Sequence, residues 1–246
     1  MLKKSIVSVL LVVLCCGGFA AFAGDDVAKV SASGKAEKAV KADTAWIIVY
    51  LSADGILMAD AEKAYQEKFA KLESALKTQY KDIKSIEQKT VAMGQKRSNY
   101  SSDQNKLPQP EIRKQLIITL PPDSKLAADV IDTAIRNGAV LTADNQSYYS
   151  GQLNSVVIYG LKETADIEKE VQKMAFDDCK KNAGEIAALA GGSPGKVLTV
   201  SAIGTPGVQQ IYVSGISMPV PVKYFAIEPD KVKVTSSVNA TFELKK

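Results

Sequence analysis

Histidine is absent from this chain, and cysteine is scarce. Without imidazole, Ser-His-Asp and Cys-His mechanisms are excluded, together with zinc or copper sites built on histidine. Two of the three cysteines, Cys15 and Cys16, lie in an apolar run near the N-terminus, which leaves Cys179 alone in the rest of the chain. A single cysteine forms no intrachain disulfide, so Cys179 is either a small core residue or a free thiol open to a partner.

The first 23 residues have the pattern of a secretory signal peptide. Lys3 and Lys4 supply a basic start, Ser5 to Cys16 forms the apolar run, and Ala-Phe-Ala at 21–23 offers a cleavage site. The run is shorter than the roughly 20 apolar residues of a membrane-spanning helix. We therefore expect an exported, periplasmic protein with a mature domain at 24–246.

Two other placements at the envelope are alternatives to this expectation. A lipoprotein signal also ends at a cysteine, but it requires a small residue just before, and Leu14 and Cys15 occupy that place. Cleavage after Ala23 is therefore favoured. Association with the outer membrane is the other alternative.

The charge balance argues against nucleic acid as a partner. The formal net charge is +4, and removing Lys3 and Lys4 with the leader lowers it to +2, with acids and bases intermixed. Charged residues make up 24% of the chain, which is ordinary for a globular domain.

Hydrophobic periodicity predicts an α+β fold, with antiparallel or mixed sheets packed against amphipathic helices. A four-and-three spacing of apolar residues predicts helices at 59–80, from Asp123 or Ser124 to Asn137, and at 164–190. Alternating or continuous apolar runs predict strands at 27–36, 44–52, 82–93, 113–120, 155–159, 197–203 and 232–244.

The longest predicted helix carries one apolar stripe that we expect to face the core. Cys179 falls on it, which favours the core interpretation over a reactive thiol. The stripe consists of Ile167, Val171, Ala175, Cys179, Ala183, Ile186 and Ala190.

Two long loops, at 94–111 and 204–230, are the better functional candidates. The second combines four prolines with a high apolar content, which suggests that something covers it. Such extensions often hold a neighbouring subunit, although both loops can equally fold back on their own domain. The candidate assembly contacts are Tyr212, Met218, Tyr224 and Phe225.

No catalytic, cofactor-binding or metal-binding constellation emerges from the residues. Asp177 and Asp178 are adjacent on a helix, so their side chains diverge. General acid–base catalysis by a pair of carboxylates needs side chains that converge. The glycines at 191–195 follow a helix instead of preceding one, so they indicate a helix stop and turn and not a phosphate loop.

The chain contains an ordered set of short motifs: Val30-Ser-Ala-Ser-Gly34, Asp43-Thr-Ala45, Lys81-Asp82-Ile83, Leu189-Ala190-Gly191 and Gly195-Lys196-Val197, with a closing alternating strand. This ordered set resembles the SIMPL-domain family of periplasmic proteins. The resemblance implies an exported α+β protein without established enzymatic activity, loosely linked to envelope and oxidative stress. It also implies homo-oligomers, some of them rings, and supplies no catalytic residues or cofactor.

The sequence thus predicts a non-enzymatic protein that acts by self-assembly or partner binding at the cell envelope. One alternative is a small-ligand or lipid-binding module, which needs an apolar pocket with a few convergent polar groups. Another is a hydrolase with a histidine-free mechanism such as Ser–Lys, for which no motif is visible.

Overall fold

The computed structural model describes residues 27–95, 109–141, 156–203, 210–213, 216–219 and 222–246. Helices pack on antiparallel sheets, so the α+β class expected from the sequence is confirmed. The elements are β1 (Lys29–Val40), β2 (Thr44–Asp54), α1 (Met58–Gln79), β3 (Ser85–Gln95), β4 (Pro110–Leu120), α2 (Ser124–Arg136), β5 (Val157–Gly160), α3 (Ala165–Leu189), β6 (Ser193–Ile203), β7 (Gln210–Val213), β8 (Ile216–Pro219), β9 (Phe225–Ala226) and β10 (Val232–Lys245).

The larger sheet has the order β3-β4-β2-β5-β9, with β2 at its centre. Neighbouring strands are antiparallel, and β2 is buried on both faces from Thr44 to Leu51, as its continuous apolar run predicts. One face packs on α1 and α2. The opposite face holds a second apolar cluster, formed by Trp46, Ile48, Tyr50, Ile117, Ile158 and Val222.

The two helices on this sheet lie close to their predicted bounds, but the buried stripe predicted for α2 is wrong at Ile135, which is 45% exposed. α1 buries one stripe, Ala61, Tyr65, Phe69, Leu72 and Leu76. α2 starts after Asp123, whose carboxylate accepts hydrogen bonds from two backbone N–H groups of the first turn at 2.8 and 3.0 Å. Beyond its end, Gly138 has a φ of +88°, the left-handed conformation that glycine adopts without strain.

The smaller sheet places β10 between β1 and β6, so the first and last strands are neighbours. The alternation predicted for β10 is confirmed, because Val232, Val234, Val238, Ala240 and Phe242 are all buried. α3 covers this face and lies against β1. At Gly34, a side chain would collide with the α3 backbone at Ala175 and Cys179.

The predicted stripe of α3 is wrong at its C-terminal end. Ile186 is 46% exposed, Ala190 is exposed, and Ala187 is buried instead. Because α3 sits directly on the backbone of β1, its contact line admits only small side chains. The helix therefore turns Ala183 and Ala187 inward and leaves the larger Ile186 outside.

Several predicted boundaries move because strands extend further than their local pattern shows. β1 runs through Lys38 to Val40, so the bend lies at 41–43. The glycine-rich turn at 193–195 is the start of β6. In the predicted loop 94–111, both ends belong to β3 and β4, while 96–108 lies outside the described residues. The predicted loop 204–230 contains a β7–β8 hairpin and the edge strand β9.

Candidate functional site

The structure describes the side chains of two of the four predicted assembly residues, Tyr224 and Phe225. Tyr212 and Met218 lie in the β7–β8 hairpin, where they pair with Ser217 and Ile211, and their side chains lie outside the description. Tyr224 is only 3% exposed and packs in the main core, which leaves almost none of its side chain to a partner. Phe225 is half-buried in β9 against the second apolar cluster.

Cys179 is a free thiol, and it is fully buried. Its Sγ donates a hydrogen bond to the carbonyl oxygen of Ala32 at 3.3 Å. Burial raises the pKa of the Cys179 thiol, and the nearby Asp178 carboxylate acts in the same direction. A buried, protonated thiol is a poor nucleophile. Cys179 packs as a core residue between α3 and the smaller sheet.

The outer edge of β1 is capped by polar side chains of α3. The Asp178 carboxylate accepts a hydrogen bond from the backbone N–H of Lys35 at 2.9 Å. One turn further along, the Asn182 amide donates to the carbonyl oxygen of Ser33 at 2.8 Å. These contacts occupy backbone groups that an incoming strand needs, so this edge is closed to strand addition.

The opposite edge of the same sheet, β6, is open in the part of the chain that the structure describes. Two of its apolar side chains are exposed, Leu198 by 40% and Val200 by 53%. Ile186 is also exposed, but it lies one turn beyond Asn182, on the side of α3 that caps β1. We call Leu198, Val200 and the backbone of β6, which has no partner on this side among the described residues, the assembly edge.

Sequence reasoning missed the assembly edge. The apolar run at 197–203 predicts a strand but not its position at the margin of a sheet.

A shallow groove of about 500 Å³ lies on the polar side of the smaller sheet. Neutral side chains from three strands line most of it: Ser31, Ser33, Thr199, Ser201, Asn239 and Thr241. The hydroxyls of Ser31 and Thr241 are 3.0 Å apart and hydrogen-bonded. Ala32, Ala240 and Ile186 complete the lining, which is therefore mixed and less apolar than that of a lipid-binding pocket.

A charged pair near β9 fixes the chain segment that leads into that strand. Lys223 Nζ donates to Glu168 Oε1 at 2.8 Å, and both side chains are half-buried. Burial alone would raise the pKa of Glu168, but the Lys223 ammonium and further hydrogen bonds hold this pKa below its ordinary value. The pair therefore ties α3 to the segment before β9.

No cluster of three or more potential metal ligands occurs among the described residues. Within the same ranges, no helix has the length and apolar character needed to cross a membrane.

Comparison with protein families matches residues 30–242 to SIMPL, described as a protein of unknown function (DUF541). The chain belongs to the SIMPL family. The match covers the SIMPL domain from β1 to β10, so the family resemblance seen in the short motifs is confirmed. No curated protein matches the chain.

Proposed function

We propose that this SIMPL protein is exported to the periplasm and acts there without catalysis, as a self-assembling subunit at the cell envelope. The observation that supports the proposal is the asymmetry of the smaller sheet, which, among the residues that the structure describes, has one capped edge and one open apolar edge. Exposed apolar edge strands promote uncontrolled pairing, and proteins usually blunt them. An open edge in a sheet whose other edge is capped is suited to strand pairing with a specific partner.

Export and assembly are tested together on the full chain. Cells expressing residues 1–246 are fractionated, and the N-terminus of the periplasmic protein is sequenced. We expect it to begin at Gly24, and retention of the protein in the cytoplasm would contradict the proposal. The mass of the purified protein, measured by light scattering on a sizing column, should be a discrete multiple of the chain mass.

A matched pair of variants then tests the assembly edge. Val200→Lys places a charge on the open edge, whereas Ile227→Lys makes the same type of change at a residue that is 69% exposed elsewhere. We expect Val200→Lys alone to lower the mass, with the apparent dissociation constant rising about tenfold or more. Equal behaviour of the two variants, or a monomeric parent protein, would contradict the proposal.

The groove favours a second candidate function, a binding module for a small neutral ligand. Its lining of hydroxyl and amide groups suits a polyhydroxylated molecule better than a lipid. Titration of the purified protein with neutral oligosaccharides, followed by amide chemical shifts of Ser33 and Asn239, tests this. Shifts that do not saturate would exclude binding there.

We propose that any role of this protein in oxidative stress depends on its assembly. With Cys179 buried and protonated, we propose that any role under oxidising conditions does not use this thiol.

A further inference from the structure

We infer that two copies pair through β6 in an isologous, antiparallel manner, so that each smaller sheet becomes half of a continuous six-stranded sheet. The inference rests on the assembly proposed above and specifies its contact. The strand order becomes β1-β10-β6 in one copy followed by β6-β10-β1 in its partner.

The capped edge of β1 decides between the two possible modes of strand addition. Head-to-tail pairing would join β6 of one copy to β1 of the next and would give a ring or an open filament. That mode requires the backbone groups of Ser33 and Lys35, which Asn182 and Asp178 already occupy. Pairing of β6 with β6 uses only the open edge and closes as a two-fold dimer.

The hydrogen-bond pattern identifies which β6 residues face the partner. The N–H of Lys35 points away from β10, while the N–H of Leu244 bonds the carbonyl of Ala28 at 2.6 Å. Even-numbered residues of β1 and β10 therefore bond each other, and odd-numbered residues of β10 bond β6. Thr199 and Ser201 oppose Thr241 and Asn239, so they point inward. Val200 and Ala202 then offer their N–H and C=O groups to the free edge.

With a two-fold axis beside Ser201, the free N–H and C=O groups of Val200 and Ala202 hydrogen-bond to the partner strand. The side chains also fit this register. Val200 of each copy then lies opposite Ala202 of the other, so a branched side chain meets a small one. In an isologous contact each residue meets its own copy, and like charges would repel. The neutral stretch 197–203 avoids that repulsion.

The same symmetry gathers the apolar residues on one face. Antiparallel pairing of identical strands requires an axis perpendicular to the sheet, which keeps both α3 helices on the same side. Val200 opposes the buried Ala240, so the Val200 side chains of both copies lie on this side of the seam, and their exposed surface is available for burial across it.

Cysteine cross-linking tests the contact directly. In this register Ser201 faces its own copy as a non-hydrogen-bonded pair, with Cα atoms about 4.5 Å apart, a separation that permits a disulfide. We expect Ser201→Cys in a Cys179→Ala background to form a covalent dimer nearly completely on mild oxidation. The matched control is Lys35→Cys in the same background, on the capped edge, which should remain largely uncross-linked.

The outcomes separate this inference from the proposed function. A defined oligomer by light scattering that fails to cross-link at position 201 overturns β6 pairing but leaves self-assembly standing. A monomer overturns both. If Ser201→Cys folds poorly, protection of the Val200 and Ala202 amides against hydrogen exchange replaces it. If these amides stay protected in Val200→Lys monomers, the inference is overturned, because it requires the partner strand to provide their hydrogen bonds.

Discussion

A side chain on Gly34 would overlap the backbone of Cys179, because α3 lies directly on β1 at this point. The backbone atoms of a buried helix cannot move aside as the end of a flexible side chain can. Gly34 therefore sets the distance between the helix and the smaller sheet. This distance limits the size of the side chains that α3 can bury there.

Gly34→Ala should destabilise the domain by about 1–3 kcal/mol or more, since the added methyl group overpacks the contact. Gly184→Ala is the matched control on α3, because its Cβ has no neighbour within 4 Å. In a helix interior that change should stabilise by about 0.5–1 kcal/mol. Urea unfolding of both variants measures the difference, and equal effects would show that the close approach is not rigid.

Cys179 should be unreactive in the folded protein. Burial blocks access to the sulfur and raises the pKa of the thiol, so a thiol reagent at neutral pH should react roughly a hundredfold or more slowly than in denaturant. After unfolding, the full reaction of Cys179 provides the control. Fast labelling of the native protein would instead revive the free-thiol interpretation.

Asp43 should contribute stability that is lost in acid. Burial raises the pKa of this carboxyl, but hydrogen bonds from the backbone N–H groups of Lys162 and Glu163 and from Thr44 outweigh it and leave the pKa below its ordinary value. A lowered pKa stabilises the fold above the unfolded-state pKa, and the contribution disappears as pH falls through the folded-state value.

Asp43→Asn should therefore cost about 1 kcal/mol at neutral pH, a modest amount because the carboxylate is exposed. The difference from the parent protein should shrink as the pH falls below the unfolded-state pKa. Unfolding free energies measured from pH 7 to pH 3 check the sign. A gap that widens in acid would mean that Asp43 is not ionised in the native state.

Removing the cap on β1 should change the form of assembly. Asp178→Ala combined with Asn182→Ala frees the backbone of Lys35 and Ser33, so head-to-tail addition becomes available. We expect larger, polydisperse species by light scattering, where the parent protein gives a discrete mass. Lys180→Ala, an exposed change on the same helix, should leave the mass unchanged.

The fold was largely predictable because its elements have strong local periodicity. The stripe of α1 and the alternation of β10 are properties of a single segment, and both are confirmed. Ile186 was placed wrongly because the side of α3 that faces the sheet is set by contacts with β1, which is far away in sequence. The assembly edge was missed for the same kind of reason, since an apolar strand looks alike at the centre and at the margin of a sheet.

The position of β10 between β1 and β6 also constrains the order of folding. Neither β1 nor β6 has a partner in this sheet until residues 232–245 are present, although β1 is the first strand to be made. Contacts that span nearly the whole chain form slowly. The smaller sheet can therefore close only when synthesis is almost complete, and such a delay would suit the export proposed above, because a chain must be unfolded to pass through a translocation channel.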